Sequence, residues 1–220
     1  MSVLLVDSQV LFRQGILRLL SREEDIQILA DTGEVEEAMA YIEGLAPQVV
    51  LLDSNLSNTK DVDLAEVILR HYPGVAVVLL AEDPREQEVC NAMSTGVAAR
   101  LSRKSTAQDM ADVIRRVSRG ELTIVEDLLH NPGVAPLVMG HFQRITAEMG
   151  GPSPLLAPLT SRETDILTQL DHGRSGQEIA ESLQIENGAL RKALLSVLFK
   201  LAVNRRTMNA ISSRLQGPGG

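Results

Sequence analysis

Aromatic side chains are scarce in this 220-residue chain: it has no Trp, two Tyr and three Phe. That argues against carbohydrate-stacking clefts and against single-strand platforms that stack bases on rings. Cysteine occurs once, at Cys90, so no internal disulfide can close and a reduced, cytoplasmic setting is expected. The longest uninterrupted apolar run, Val75 to Ala81, is far below the roughly 20 residues of a membrane-spanning helix. The first charged side chain is Asp7, so the start lacks the basic region of a signal peptide, and no membrane partner is expected. The four histidines, His71, His130, His141 and His172, are scattered with no cysteine nearby, which is not a zinc pattern. Phosphate-loop, nucleophile-elbow and dinucleotide motifs are missing as well. The chain reads as a regulator or binding protein and not as an enzyme.

What is present is ordinary for a globular protein: 44% apolar and 23% charged residues, enough to bury a core. The length fits one large domain or two small ones. Charge is uneven. Residues 1–125 hold 12 Lys and Arg against 20 Asp and Glu, a net of −8. Residues 126–154 hold one Arg against three acids, and residues 155–220 hold eight basic against six acidic side chains. A slightly basic C-terminal module on an acidic body is compatible with nucleic-acid binding.

Over the first 120 residues short apolar runs alternate with amphipathic stretches. Strands are predicted at Val3 to Val6, Ile26 to Ala30, Val49 to Leu52, Val75 to Leu80 and Val97 to Leu101. Helices are predicted at Val10 to Leu20, Val35 to Leu45, Leu64 to His71, Arg85 to Thr95 and Gln108 to Arg119. This alternation implies a parallel sheet with helices on both faces. The favoured strand order is 2-1-3-4-5, taken over from known doubly wound sheets of this kind. After Gly120 the rhythm stops. Two linker helices, Glu126 to His130 and Val134 to Met149, precede a Gly/Pro hinge at 150–154. Four helices are then predicted: Ser161–Leu170, Ser175–Leu183, Gly188–Leu201 and Arg206–Leu215. The short turn Gln184-Ile185-Glu186-Asn187 joins the middle two at helix-turn-helix spacing. Gln216 to Gly220 are expected to fray.

Several residue runs resemble the NarL/FixJ-type response regulators, which join a phosphoacceptor receiver to a LuxR-type helix-turn-helix domain. In the first half these are Val3-Leu4-Leu5-Val6-Asp7, Phe12-Arg13-Gln14-Gly15 and Val49-Val50-Leu51-Leu52-Asp53. In the second half they are Leu159 to Glu163, Ile166-Leu167, Gly173-Arg174-Ser175, Glu178-Ile179-Ala180 and Lys200-Leu201. The resemblance implies a flavodoxin-like receiver over 1–121, a helical linker and hinge over 122–154, and an all-α four-helix DNA-binding domain over 155–216.

By the same resemblance Asp53 is the aspartate that takes a phosphoryl group from a sensor kinase, with Mg²⁺ held by neighbouring acids. Asp7 supplies one of those acids; the second position is Ser8. The Ser/Thr that bonds the phosphoryl oxygen falls on Leu80, which cannot donate. The phosphoryl-pairing Lys falls on Arg103, which keeps the charge but not the point geometry. The switch aromatic falls on Arg100, and the loop after the phosphoacceptor reads Leu56-Ser57-Asn58. These departures imply a degenerate receiver outside the ordinary Mg²⁺-dependent cycle. A weakened cycle remains open, because Asp7 and Asp53 are both present, so Mg²⁺ has at most these two weak candidate ligands.

In the second half the helix from Gly188 is expected to enter the major groove of duplex DNA, with Arg191 and Lys192 reaching bases or phosphates. Thr160, Arg174 and Ser175 are candidate phosphate contacts, as are Arg205 and Arg206 before the last helix. The family's Thr-Val-Lys-x-His run reads Ala189-Leu190-Arg191-Lys192-Ala193, so a hydroxyl and an imidazole are missing. A homodimer is expected on a near-palindromic site, with Met208, Ile211 and Leu215 or the receiver supplying the contact. The rival reading is a protein-interaction module that keeps this two-domain shape without touching DNA.

Overall fold

The computed structural model describes residues 1–59, 62–82 and 85–215. It divides into two compact units: Met1–Pro84 with Val97–Ile124, and Arg85–Gly96 with Val125–Gly220.

The first unit is built on one parallel sheet. Its strands are β1 (Ser2–Val6), β2 (Gln27–Thr32), β3 (Val49–Asp53), β6 (Ala76–Ala81) and β7 (Ala99–Ser102), in the order β2-β1-β3-β6-β7. This is the expected order. A separate two-residue ribbon pairs β4 (Asn58–Thr59) with β5 (Val62–Asp63) antiparallel. Val3 to Val6 and Val49 to Leu52 are fully buried, as befits central strands covered on both faces. Each such side chain contributes about 1.5–3 kcal/mol of burial free energy. The helices are α1 (Val10–Leu20), α2 (Val35–Leu45), the short α3 (Ser54–Ser57), α4 (Leu64–His71) and α6 (Ala107–Ser118). Chain chemistry sets their ends. Asp63 caps α4 and Thr106 forms a capping box with Asp109 on α6. Ala46 closes α2 in the left-handed region.

The second unit contains α5 (Glu86–Thr95), α7 (Val125–His130), α8 (Val134–Glu148), α9 (Ser161–Asp171), α10 (Gly176–Ser182) and α11 (Asn187–Leu215). Helix α5, read as part of a contiguous N-terminal domain, packs with α8 and α11. Its Val89, Cys90, Ala92, Met93, Ser94 and Thr95 are all buried, so it is covered on more than one side. The segment read as linker is likewise core: Val125, Leu128, Val134, Ala135, Val138, Phe142 and Ile145 are buried.

The last two predicted helices are instead one. Helix α11 runs 29 residues without a break, so the domain after the hinge has three helices among the described residues and not four. No Gly or Pro lies between Gly188 and Leu215, and Ala202, Arg205, Arg206 and Met208 favour continued helix. Asn204 marks the expected break. It is 2% exposed, and its side-chain amide donates to the Ala157 carbonyl at 3.0 Å and accepts from the Ala157 amide at 2.8 Å. The expectation for Gln216 to Gly220 lies outside the described residues. No helix among the described residues is long and apolar enough to cross a membrane.

Candidate functional site

The parallel order places the carboxyl ends of β1 and β3 side by side, which is where open α/β sheets bind ligands. Asp7 follows β1 and Asp53 ends β3, and both are fully buried. Between them lies Arg103, from the turn after β7. One of its nitrogens, Nη2, donates to Asp7 Oδ2 at 2.6 Å and also meets Asp53 Oδ1 at 2.7 Å. The Arg103 side chain is 8% exposed, and its guanidinium carbon sits 4.3 Å from the centre of the Phe12 ring. Its backbone amide donates to the Ala81 carbonyl at 2.8 Å, which anchors the turn to β6.

Other donors also reach the two carboxylates. The Gln9 amide donates to Asp7 Oδ1 at 2.7 Å, and the Asn55 amide donates to Asp53 Oδ1 at 3.0 Å. Ser8 Oγ reaches Asp53 Oδ2 at 3.4 Å. Burial pushes the Asp7 carboxyl above the usual carboxylate range, and the charge of Asp53 adds to this. The Gln9 amide and the Arg103 guanidinium oppose it. Arg13 braces the same turn, donating to the Asp7 carbonyl at 2.5 Å and pairing with Asp31 at 3.0 Å. Gly33 makes room for it: a Cβ there would lie 2.9 Å from the Arg13 guanidinium. Leu80, the β6 neighbour of Asp53, is fully buried, and Arg100 is half-buried on β7 beside Leu79. The pocket therefore brings together Asp7, Ser8, Asp53, Leu80 and Arg103. Among the described residues no group of three or more His, Cys, Asp or Glu could hold a metal ion.

In the second unit α10, its turn and the start of α11 form a helix-turn-helix. Ser175 caps α10 through a capping box with Glu178, and Gln184 adopts a left-handed backbone (φ 51°) in the turn. Leu190, Leu194, Val197, Leu198 and Leu201 pack inward with Ile166, Leu167, Leu170 and Ile179. The apolar run of α11 is thus mostly core. Every charged residue from 187 to 215 is basic.

The candidate DNA contacts are placed as follows. Lys192 and Arg206 are exposed. Arg206 Nε donates to the Ala202 carbonyl at 3.3 Å within its own helix. Arg191 donates through both terminal nitrogens to Glu126 Oε1 of α7, each at 3.2 Å. Arg205 donates to Ser94 Oγ of α5 at 2.9 Å. Arg174 is exposed and donates to Gln169 Oε1 at 3.0 Å. Thr160 and Ser175 serve as helix caps, their hydroxyls accepting from the Glu163 and Glu178 amides. Lys200, a cation in the middle of α11, pairs instead with the 5% exposed Glu163 at 2.6 Å. Cys90 is buried, and burial pushes its thiol up to about 11, which suits a small apolar side chain and not a reactive one.

A doubly wound sheet with acids at its switch point, followed by a helix-turn-helix, defines a receiver joined to an effector domain. The sequence matches the response regulator receiver domain over residues 3–115. The chain belongs to the response-regulator family and is homologous to its NarL/LuxR-type members. The response regulator protein VraR of Staphylococcus aureus is 30% identical over 209 residues, covering 95% of this chain and 94% of VraR. The transcriptional regulatory protein DegU of Brevibacillus brevis is 25% identical over 226 residues, covering 98% and 93%. A structure of the RcsB response regulator of Salmonella typhimurium shares the fold, with a TM-score of 0.53 at 16% identity over 97% of this chain and all of that one.

Proposed function

We propose that this protein is a DNA-binding transcriptional regulator, acting as a homodimer in the cytoplasm, whose receiver works outside ordinary Mg²⁺-dependent phosphorylation. The DNA-binding part draws on the helix-turn-helix geometry and on α11, whose charged residues are all basic. It also draws on relatives: DegU is named a transcriptional regulatory protein, and RcsB has been solved bound to a promoter. Arg191 and Lys192 would reach bases or phosphates, while Arg174, Ser175, Thr160, Arg205 and Arg206 would hold phosphates. We keep the division into a receiver-like domain (1–121), linker (122–154) and DNA-binding domain (155–216) as a functional one.

One observation carries the receiver part: Arg103 lies between Asp7 and Asp53, within hydrogen-bond distance of both. The pocket does not fit a magnesium ion. That ion needs six oxygens at about 2.0–2.1 Å. Here the two facing carboxylate oxygens already meet a guanidinium nitrogen, and the second family acid is Ser8. Leu80 offers no hydroxyl to a phosphoryl oxygen. Input would come from a partner protein, a small ligand at the altered pocket, or the amount of the protein itself.

A second reading, a protein-interaction module that leaves DNA alone, draws on Arg191 and Arg205 both holding protein partners. Binding-site selection on the purified full-length chain, followed by affinity measurements across salt concentrations, separates the two. The regulator selects one near-palindromic site, binds two chains to it and loses affinity steeply with salt. Failure to enrich any sequence, with no salt-dependent binding, would leave the interaction module.

A further inference from the structure

Resting on the reading of an unconventional receiver, we propose that Arg103 is the resident cation of the acidic pocket, taking the electrostatic place of a divalent metal and keeping one out. An arginine that recognises carboxylates in its usual manner uses two nitrogens of its fork, one for each oxygen. Arg103 does not. The single nitrogen Nη2 serves both acids, at 2.6 and 2.7 Å, as a point cation would.

The rest of the guanidinium gains nothing comparable. Nε and Nη1 are buried without a hydrogen-bond partner among the described residues. Leaving buried donors unpaired is costly, so the two charge-assisted contacts of Nη2 must hold the group where it is. Phe12 covers the guanidinium at 4.3 Å, and the Arg103 amide bond to Ala81 fixes the turn that delivers it. Two fully buried carboxylates need compensation, and Arg103 supplies one positive charge of it on a side chain that cannot dissociate. The turns after β1, β3 and β7 are therefore tied together whether or not a divalent ion is available. A metal entering would have to displace a covalently attached positive charge from the same oxygens.

The test is Mn²⁺ titration of the full-length chain, followed by the paramagnetic spectrum of the free ion and by melting temperature with and without Mg²⁺. Circular dichroism checks folding. The wild-type chain should bind Mn²⁺ weakly and melt at the same temperature in Mg²⁺. Arg103→Gln should bind Mn²⁺ about tenfold or more tightly than wild type and gain melting temperature from Mg²⁺. Ser8→Asp, which adds an acid while keeping Arg103, should stay a poor binder; this variant decides the matter if Arg103→Gln fails to fold. Tight binding by Ser8→Asp, or equal binding by wild type and Arg103→Gln, overturns the proposal. If a folded Arg103→Gln does not bind, Arg103 is not the excluding group, yet an unconventional receiver survives. Strong wild-type binding together with Mg²⁺-dependent phosphoryl labelling of Asp53 would remove both.

Discussion

Replacing Glu126 with Gln tests whether Arg191 is a DNA-reading side chain held in reserve. Arg191 places both terminal nitrogens on Glu126 Oε1 at 3.2 Å, so it must leave that oxygen to reach a base or phosphate. The pair is partly solvated, with side chains 39% and 34% exposed. At such exposure an ion pair is worth about 0.2–1 kcal/mol. Removing the competing charge should therefore raise operator affinity by only about 1.4- to 5-fold. Arg191→Ala removes the contact itself, at about 1–3 kcal/mol, and should relax one position of the site. In the double variant the gain from Glu126→Gln should vanish if the competition for Arg191 is its source. Fluorescence anisotropy on a selected operator reads all four proteins. If Glu126→Gln strengthens binding equally with and without Arg191, the effect is general electrostatics and the competition argument fails.

Other substitutions test the packing of the two units. Lys200→Met leaves the buried Glu163 carboxylate without its cation and should cost about 3–5 kcal/mol, read as a lower melting temperature. In the native chain the bond from Lys200 and the Thr160 amide outweigh burial and hold Glu163 below its ordinary range. Its stabilisation is thus present above that range and lost as pH falls through the folded pKa, so the deficit of Lys200→Met should shrink on acidification. Arg103→Ala should cost a similar amount, about 3–5 kcal/mol. Burial already raises Asp7, so its contribution is greatest in acid and is lost as pH rises through its folded pKa. Without Arg103 that carboxyl rises further, and the gap from wild type should widen from acid towards neutral pH. Lys192 is exposed; if its contact is to a phosphate, Lys192→Ala should weaken all DNA sequences alike and lower the salt slope by about one.

Much of the first unit was legible because its signal is periodic and local. Val3 to Val6 and Val49 to Leu52 are continuous apolar runs, and both are the fully buried central strands that such runs imply. Helix ends were readable where a capping residue sits, as at Thr106, Thr160 and Ser175. Two of these caps, Thr160 and Ser175, were read as phosphate contacts, since one hydroxyl serves either purpose in a sequence. The continuity of α11 was harder to see. A break between two helices was expected at 202–205, yet Asn204 there bonds the Ala157 backbone 47 residues away without interrupting the helix. The placement of α5 depends on burial over more than one face, which a moderate amphipathic pattern does not reveal. The family resemblance already gathers Asp7, Asp53 and Arg103 at one site, but does not give their contact. Their convergence on one nitrogen joins positions 96 residues apart, and no spacing rule reaches that far.

The account rests on a regulator that binds DNA without a phosphoryl switch, and the most direct measurement is operator affinity of wild type and Asp53→Asn with and without acetyl phosphate and Mg²⁺, with intact mass read in parallel. The predicted result is one affinity for all conditions within about twofold, below the threshold of a coupling free energy, and no added phosphoryl mass on either protein. A phosphoryl group on wild type that is absent from Asp53→Asn, accompanied by a many-fold rise in affinity, would contradict it.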